Sequence, residues 1–579
     1  MTKREYGMVL VSLVFIVAQV WLDLKMPEYM STITELVQTP GSEMSDILLN
    51  GGYMLLCAVG SMIAAMITGY FAARVAASLS KTVREKVFKK VMRFNSEEIG
   101  RFSTASLITR TTNDITQVQM IVAMGLQAII KAPILLVWAI IKIAGKQWQW
   151  SLATAAAVLV ILIVLMIAVV LALPKFKVIQ QLTDNLNRVT RENLTGIRVV
   201  RAYNAEKFQE DKFEKANTEL TKTNLFSNRV MALLTPTMSF VSSGISLAIY
   251  WIGAYLIDAA SITERLTIFS DMVVFSSYAM QVIMAFTMLT MMFIMLPRVL
   301  VSARRINEVL DTEIALKDGA LEETEAKTKG HIEFRNVSFK YPDAGDYVLE
   351  NISFTAERGQ TVAIIGSTGS GKSTLVGLIP RFYDATEGEI LVDGVNVKNY
   401  TQKALRNKLG YVSQRAILFS GTVRSNVMYG DNGKNQLPED MVDAVSIAQS
   451  SDFVDRMDGQ YNARIAQGGT NVSGGQKQRL SIARAICRRA EIYIFDDTFS
   501  ALDYKTDRAL RTELNSKLGT ATKLIVAQRI GTIRNADKII VLDSGRIVGM
   551  GTHDELMQTC KTYGEIARSQ LSEEELKNA

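Results

Sequence analysis

Apolar residues are unevenly distributed along this chain of 579 residues. Runs long enough to cross a bilayer as helices, about 20 residues each, lie before Arg304, and nothing comparable follows it. The run at 152–173 has Thr154 as its only polar residue, whereas a buried core helix typically has an apolar run of about 10–14 residues. The pattern therefore predicts six transmembrane helices, near residues 6–24, 51–73, 118–144, 151–173, 230–257 and 268–300.

Lysine and arginine are concentrated in two long segments, between the second and third and between the fourth and fifth predicted spans. Because cytoplasmic loops carry an excess of Lys and Arg, both segments are expected in the cytoplasm, and so are both chain termini. The outer loops near residues 26–45 and 258–265 are short and carry several acidic residues. Breaks in the helical patterning near 95–103 and 201–208 favour short cytoplasmic helices that contact the C-terminal domain.

Composition narrows the class of protein further. A chain of this length exceeds one hydrophobic core, and 48% hydrophobic with 21% charged residues is typical of a protein that lies partly in lipid. The net charge of +7 is consistent with the excess of Lys and Arg in the predicted cytoplasmic segments. The sequence has no basic patch with interleaved aromatic residues, which disfavours a nucleic-acid partner. Three cysteines without metal-ligand spacing indicate neither a disulfide framework nor a zinc site.

From about His331 the pattern changes to short β-branched strands that alternate with helices, which predicts an α/β domain. One strand runs into "GSTGSGKST", which matches the phosphate-binding P-loop motif. In such a loop the glycines let backbone N–H groups surround phosphates, the lysine reaches the terminal phosphates and the serine after it binds Mg²⁺. The predicted ATP-binding residues are Gly366, Ser367, Thr368, Gly369, Ser370, Gly371, Lys372, Ser373 and Thr374.

Two further motifs follow in the same domain. In "IYIFDDTFSALD" an apolar strand ends at Asp496, the position at which P-loop NTPases hold Mg²⁺. Between the two strands, "VSGGQ" opens a helix, and the free N–H groups at such a turn suit an anion. We predict a membrane domain at 1–312, a linker at 313–329, a P-loop nucleotide-binding domain at 330–572 and a tail at 573–579.

These motifs, in this order and behind six spans, resemble an ATP-binding-cassette (ABC) exporter half-transporter over nearly the whole chain. The resemblance implies a dimer in which the P-loop of one chain and the signature turn of the other enclose each ATP. It assigns adenine stacking to Tyr341, Mg²⁺ binding to Gln414 beside Ser373 and Asp496, and the loop that crosses to the opposite site to Asp503. Residues implied to contact the partner's ATP are Ser473, Gly474, Gly475 and Gln476.

The chain departs from the family pattern at catalytic positions. Asp497 stands where the family has the glutamate that polarises the attacking water, and Gln528 stands where it has the switch histidine. Gln467 likewise replaces a usual glutamate. A carboxylate displaced by about one methylene can lower a rate roughly 10²-fold, and glutamine cannot exchange a proton. We therefore expect a site that binds MgATP and hydrolyses it poorly.

The interpretation is the degenerate-site subunit of a heterodimeric multidrug exporter in a bacterial plasma membrane, with a partner half-transporter that has Glu and His. A homodimer would lack both catalytic groups at both sites. The alternatives are a lipid or peptide exporter half and a non-pumping ATP-gated channel or regulatory subunit.

The substrate is expected to be an apolar or amphipathic small molecule. The sixth span is rich in methionine and aromatic residues, which can repack around different apolar shapes. Ordinary helix packing explains the same composition equally well. The candidate cavity residues are Phe275, Tyr278, Met284 and Met288. Lys131, Lys142 and Asp271 are costly in lipid and are also expected to face a cavity.

Overall fold

The computed structural model describes residues 3–39, 41–144, 146–322, 329–342, 344–431, 433 and 435–570. Contacts divide the chain into two units. Unit 1 comprises 1–92 and 103–312, and unit 2 comprises 93–102 and 313–579. The predicted tail at 573–579 and residues 323–328 of the predicted linker lie outside the described residues. The division after Thr312 falls where the predicted linker begins, but the short segment 93–102 groups with unit 2.

Long helices make up unit 1. In chain order the first ten helices are α1 (Lys3–Gln38), α2 (Met44–Val91), α3 (Ser96–Phe102), α4 (Thr104–Thr109), α5 (Ile115–Ala144), α6 (Trp148–Thr195), α7 (Ile197–Ala202), α8 (Glu206–Ala232), α9 (Leu234–Ala259) and α10 (Ile262–Asp311). A π-helical turn, Arg110–Asp114, joins α4 to α5, and α3 belongs to unit 2. Within the described residues, six helical stretches are long and apolar enough to span a membrane. The prediction of six spans is confirmed.

The predicted breaks in the cytoplasmic segments correspond to the short helices α3 and α7. Ser103, between α3 and α4, has a φ of 58°, and Asn204, between α7 and α8, has a φ of 52°. A left-handed residue cannot continue a right-handed helix, so the helix is interrupted at each point. In unit 2, the Glu98 carboxylate of α3 accepts a hydrogen bond from the Ala315 backbone N–H at 2.8 Å.

Aromatic side chains lie in the core of unit 1. The Trp150 indole donates a hydrogen bond to the Ile249 carbonyl at 3.1 Å, and its ring lies 5.4 Å from that of Phe275. The Tyr278 hydroxyl donates to the Leu24 carbonyl at 3.0 Å. Phe275 and Tyr278 are 0% and 1% exposed, so in this conformation they pack between helices and line no open cavity. Met284 is exposed and Met288 is half-buried, and a cavity role for these two stays a prediction.

The three charged residues singled out in the spans, Lys131, Lys142 and Asp271, are each paired with a residue of opposite charge. The Lys131 ammonium of α5 lies 3.0 Å from the Asp23 carboxylate of α1, which also accepts from the Ser61 hydroxyl of α2. Lys142 lies 2.6 Å from Glu28, and Asp271 pairs with Lys146. Each charge thus has a partner of opposite sign, which is how ionisable side chains persist at membrane depth.

Unit 2 is built around a six-stranded sheet with the strand order β12-β11-β3-β10-β9-β6. All neighbours in it are parallel except the antiparallel edge pair β11 and β12. A second sheet has the order β2-β1-β4-β5, and β7 pairs with β8. The strands are β1 (Ile332–Phe339), β2 (Leu349–Ala356), β3 (Thr361–Gly366), β4 (Glu387–Val392), β5 (Val395–Asn396), β6 (Leu409–Val412), β7 (Gly421–Thr422), β8 (Arg464–Ile465), β9 (Ile492–Asp496), β10 (Thr522–Val526), β11 (Lys538–Asp543) and β12 (Arg546–Gly551).

Helices cover the parallel sheet, as the burial of its strands requires. The further helices of unit 2 are α11 (Lys372–Leu378), α12 (Gln402–Asn407), α13 (Val423–Val427), α14 (Pro438–Ile447), α15 (Ser451–Val454), α16 (Gly474–Cys487), α17 (Tyr504–Lys517), α18 (Ile530–Ile533), α19 (His553–Thr559) and α20 (Lys561–Gln570), of which α11, α12 and α16 contact strands of the parallel sheet. Every residue of β9 and β10 is buried. Asp496 lies opposite Val526, which in turn lies opposite Ile364, so the carboxyl ends of three strands meet at one edge. The predicted fold class, a six-helix membrane domain fused to an α/β P-loop domain, is confirmed.

We predict that the pair of Lys131 and Asp23 stabilises unit 1. Lys131→Met should lower the unfolding temperature of the purified protein, because the Asp23 carboxylate loses its cation. Adding Asp23→Asn should recover part of the loss, with a coupling free energy of about 0.5–3 kcal/mol. The matched control is Lys86→Met at an exposed position of the same unit. Equal effects of Lys131→Met in the presence and absence of Asp23 would contradict a stabilising pair.

Candidate nucleotide-binding site

The loop after β3 has the backbone that a phosphate cradle needs. Gly369 and Gly371 have φ values of +85° and +94°, a region that L side chains rarely adopt. A Cβ atom on Gly371 would also lie 2.8 Å from a methyl group of Leu349 and 3.0 Å from the Val348 carbonyl. Larger residues are therefore disfavoured at these two positions, and the loop leads directly into α11 at Lys372.

The Lys372 side chain folds back over its own loop. Its ammonium donates hydrogen bonds to the carbonyls of Gly366 at 2.9 Å and Ser367 at 2.7 Å. Burial lowers the pKa of Lys372, an effect that the carboxylates of Asp497 and Asp496 oppose. A cation that is partly removed from water and held mainly by neutral carbonyls can be stabilised by an anionic ligand such as the ATP phosphates.

Oxygen atoms of Ser373 and Asp496 form the candidate Mg²⁺ site. The Ser373 hydroxyl donates to the Asp496 carboxylate at 2.8 Å. Burial raises the pKa of Asp496, although hydrogen bonds from Ser373 and Tyr411 and the charge of Lys372 act in the opposite direction. A buried carboxylate of this kind is stabilised by a nearby cation, and an oxygen-only donor set suits Mg²⁺. The residues therefore fit the ion, which would shield phosphate charge when bound.

The proposed ligand set is incomplete without nucleotide. Among the described residues, no group of three or more His, Cys, Asp or Glu side chains is placed to hold a metal ion. Mg²⁺ at nucleotide sites is usually held by one or two carboxylates together with phosphate oxygens and water. Ser373, Gln414 and Asp496 would thus share the ion with ATP.

Asp497 lies between two glutamine side chains. Its Oδ2 atom accepts a hydrogen bond from Gln528 Nε2 at 2.7 Å and one from Gln414 Nε2 at 3.3 Å. Asp497 is 8% exposed and has a φ of 47°. The sequence analysis predicted Mg²⁺ binding for Gln414 and placed Asp497 and Gln528 at the catalytic positions. In the structure, both glutamines donate hydrogen bonds to the same oxygen atom of Asp497.

Nine of the predicted residues line one cavity of about 250 Å³. Thr368, Gly369, Gly371, Lys372, Ser373 and Thr374 of the P-loop line it together with Gln414, Asp497 and Gln528. The carbonyls of Gly366 and Ser367 accept hydrogen bonds from Lys372, and Ser370 is buried. The cavity has the residue types that bind the phosphates of a nucleotide.

Tyr341 lies at the margin of the P-loop. Its hydroxyl is 3.0 Å from the Thr374 hydroxyl, and its ring makes edge contacts with Phe339 and Tyr383. Over a third of its surface is exposed, which leaves it accessible for the predicted stacking on adenine.

The signature turn is separate from this cavity. The Ser473 hydroxyl accepts from Gln476 N–H at 3.4 Å, and the Gln476 side chain accepts from Ser473 N–H at 2.9 Å, which forms a capping box for α16. Ser473 and Gly474 are exposed. Asp503 caps α17 by accepting from Thr506 N–H at 2.9 Å. Of the described residues that line the P-loop cavity, none comes from the signature turn.

Sequence reasoning missed two residues near the site. Tyr411 hydrogen-bonds the Asp496 carboxylate, and burial together with that carboxylate raises the pKa of its hydroxyl. Its place on β6, three residues before Gln414, was the available signal. Val348 lines the cavity through the turn before β2, and nothing in its local sequence distinguishes it from other apolar residues.

Comparison with known proteins identifies the family. Residues 9–286 match the model of the ABC transporter transmembrane region, and residues 349–500 match the ABC transporter model. An uncharacterized ABC transporter ATP-binding protein of Mycobacterium tuberculosis is 41% identical over 523 residues, which are 90% of this chain and 87% of that protein. The chain therefore belongs to the ABC transporter family and is an exporter with a membrane domain fused to a nucleotide-binding domain.

Other relatives cover similar lengths. YfiB of Bacillus subtilis, also an uncharacterized ABC transporter ATP-binding protein, is 33% identical over 525 residues, 90% of each chain. An ATP-dependent lipid A-core flippase of Aromatoleum aromaticum is 32% identical over 506 residues, 87% of this chain and 82% of that protein. The solved structure of a bacterial Atm1-family ABC exporter with ATP bound has the same fold, with a TM-score of 0.83, 23% identity and coverage of 99% of this chain and 100% of that one.

Membership of the ABC transporter family indicates an ATP-hydrolysing transporter. The chain is a multi-pass membrane protein with an ATPase domain that binds ATP, and ABC half-transporters of this architecture act as dimers in the membrane.

We predict that Lys372→Ala weakens ATP binding about 10- to 100-fold, because a hydrogen bond to a charged group contributes about 1.5–3 kcal/mol and 1.4 kcal/mol corresponds to a factor of ten. Equilibrium binding of labelled ATP to the full-length chain measures the effect. Lys561→Ala, at a position whose side chain is 91% exposed, is the matched control. Equal affinities of the two variants would rule out a phosphate contact by Lys372.

Proposed function

We propose that this chain is the degenerate-site half of a heterodimeric bacterial exporter of amphipathic small molecules. The observation that carries the proposal is the joint presence of Asp497 and Gln528 at a site that keeps Lys372, Ser373 and Asp496. Residues for binding MgATP are retained, whereas the usual glutamate and histidine of the family are absent. We therefore infer that the site binds ATP and hydrolyses it slowly.

The contacts of Asp497 support slow hydrolysis. A general base must present a free carboxylate oxygen to the attacking water within about 2.6–3.2 Å. Oδ2 of Asp497 already accepts two hydrogen bonds from amides, so one of its two carboxylate oxygens is engaged, and the backbone N–H of the residue donates to the Val526 carbonyl at 3.0 Å. The aspartate is held close to its strand and is one methylene shorter than glutamate.

The signature turn supports a role at a second site. Ser473, Gly474, Gly475 and Gln476 retain the family pattern and form a well-capped helix start. In a dimer of half-transporters this turn would complete the ATP site on the partner's P-loop. A partner with Glu and His at the catalytic positions would supply the hydrolysis that this chain lacks.

The substrate class is proposed from the sixth span. Met284 and Met288 have accessible surface, and methionine adapts to apolar ligands of different shape, which favours amphipathic small molecules. Relatives named lipid A-core flippases, 31–32% identical, favour lipid as the second candidate. Peptide export and a non-pumping ATP-gated channel or regulatory subunit are further alternatives.

The proposed location is the plasma membrane of a bacterium, with both termini in the cytoplasm. The basic segments that include α3 and α7 are the reason for this orientation. In the proposed cycle, binding of MgATP brings two nucleotide domains together and opens the substrate cavity outward. Transport that requires the partner and is stimulated by substrate would distinguish a pump from a channel.

We predict negligible steady-state ATP hydrolysis by the purified chain alone and substantial hydrolysis after reconstitution with its partner. Ser473→Ala should abolish most activity of the complex, since removal of one such transition-state donor typically lowers the rate about 10²- to 10³-fold. Ser451→Ala, at a partly exposed position of the same domain, is the control. Vigorous hydrolysis by the isolated wild-type chain would refute a degenerate site.

We also predict that Asp497→Glu combined with Gln528→His creates a second hydrolytic site. Rapid mixing of the complex with MgATP should give an initial burst of one phosphate per wild-type complex and two per double variant. The longer carboxylate and the titratable imidazole restore the groups that activate water. A burst of two phosphates from the wild-type complex would contradict the assignment.

A further inference from the structure

One carboxylate oxygen connects three functional positions of the nucleotide site. Asp497 Oδ2 accepts from Gln528 Nε2 at 2.7 Å and from Gln414 Nε2 at 3.3 Å. The two glutamines lie in different loops, one after β6 and the other after β10. The side-chain amide of glutamine has an NH₂ group that donates hydrogen bonds and an oxygen that accepts them. Because Asp497 Oδ2 binds the NH₂ group of each glutamine, each amide oxygen is directed away from Asp497.

We propose that Asp497 is a positioning residue that orients both amides for MgATP retention, instead of acting as a water-activating base. With its nitrogen held by Asp497, Gln414 has Oε1 left, the only atom of the amide that can bind a cation. Gln528 Nε2 has a second N–H, which is available to a phosphate oxygen. The inference rests on the proposed degenerate site and gives Asp497 a role within it.

The backbone around this oxygen is anchored independently of nucleotide. Asp497 N–H donates to the Val526 carbonyl at 3.0 Å, and the Ser500 hydroxyl donates to the Asp497 carbonyl at 2.9 Å. On the opposite side, Gln570 Nε2 donates to the Gln528 carbonyl at 2.8 Å, and Gln570 Oε1 accepts from Ile530 N–H at 2.9 Å. Both partners of the shorter hydrogen bond are thus fixed before ATP arrives.

Removal of the acceptor leaves the Gln414 amide free to turn. A rotated amide would present N–H groups to the cation, which repel it, so a fraction of the sites would lose a Mg²⁺ ligand. Residues that orient metal ligands through hydrogen bonds typically change metal affinity about 10- to 100-fold when mutated. We therefore expect loss of the Asp497 carboxylate to raise the Mg²⁺ concentration needed for binding and to leave the binding of metal-free nucleotide unchanged.

The test is binding of a radiolabelled, non-hydrolysable ATP analogue to the full-length chain across a MgCl₂ titration and in EDTA. Asp497→Ala should raise the half-saturating Mg²⁺ concentration about 10-fold and leave binding in EDTA unchanged. Asp497→Asn should stay near wild type, because its Oδ1 still accepts a hydrogen bond. Asp458→Ala, at an exposed position of the same domain, is the matched control.

Gln528→Ala tests the hydrogen bond between Asp497 and Gln528 separately from the one between Asp497 and Gln414. It should leave the Mg²⁺ midpoint unchanged, because Gln414 keeps its acceptor, and should speed release of the magnesium-bound analogue. The double variant with Asp497→Ala should release it no faster than Asp497→Ala alone. An unchanged midpoint in Asp497→Ala, or equal midpoints for the Ala and Asn variants, would overturn the proposal.

The analogue makes the result independent of hydrolysis. Failure of the proposed function would appear as rapid phosphate release from ATP by the isolated wild-type chain. Failure of the positioning role would appear only in the Mg²⁺ titrations.

Discussion

The parallel pairing of β3, β10 and β9 is the constraint on which the nucleotide site depends. Pairing of Asp496 with Val526 and of Val526 with Ile364 brings the ends of three strands to one edge of the sheet. Ligands of open α/β sheets bind at the carboxyl ends of the strands. The P-loop, the candidate Mg²⁺ ligand Asp496 and Gln528 lie at or just after those ends, so their proximity results from strand register.

The charged side chains of the nucleotide site are largely removed from water. Asp496 and Asp497 are 4% and 8% exposed, and Lys372 is partly removed from water beside them. These charges are costly to desolvate, and the hydrogen bonds from Ser373, Gln414 and Gln528 offset part of that cost. Asp497 is thereby hydrogen-bonded to the loops that carry Gln414 and Gln528. In unit 1 the cost of desolvating Lys131 and Asp23 is likewise offset, because the two opposite charges pair between helices α5 and α1.

Sequence patterns predicted much of the fold because they report local physical requirements. Apolar runs of bilayer length indicated the six spans, and the glycines of "GSTGSGKST" required the turn that Gly369 and Gly371 adopt. Side-chain packing was less accessible. Phe275 and Tyr278 fit a cavity as well as a core by composition, and only the contacts with Trp150 and Leu24 show that they lie in the core. The shared acceptor of Gln414 and Gln528 depends on three loops distant in sequence, so no local pattern could predict it.

In the proposed cycle, the site on this chain holds ATP without cleaving it while the complex works. The direct measurement is photolabelling of the assembled complex with azido-ATP that carries the isotope at either the α- or the γ-phosphate, after several turnovers in Mg²⁺. We expect this chain to retain both labels to the same extent, whereas its partner should lose the γ-label. Loss of the γ-label from this chain at the rate of the partner would contradict a site that retains ATP.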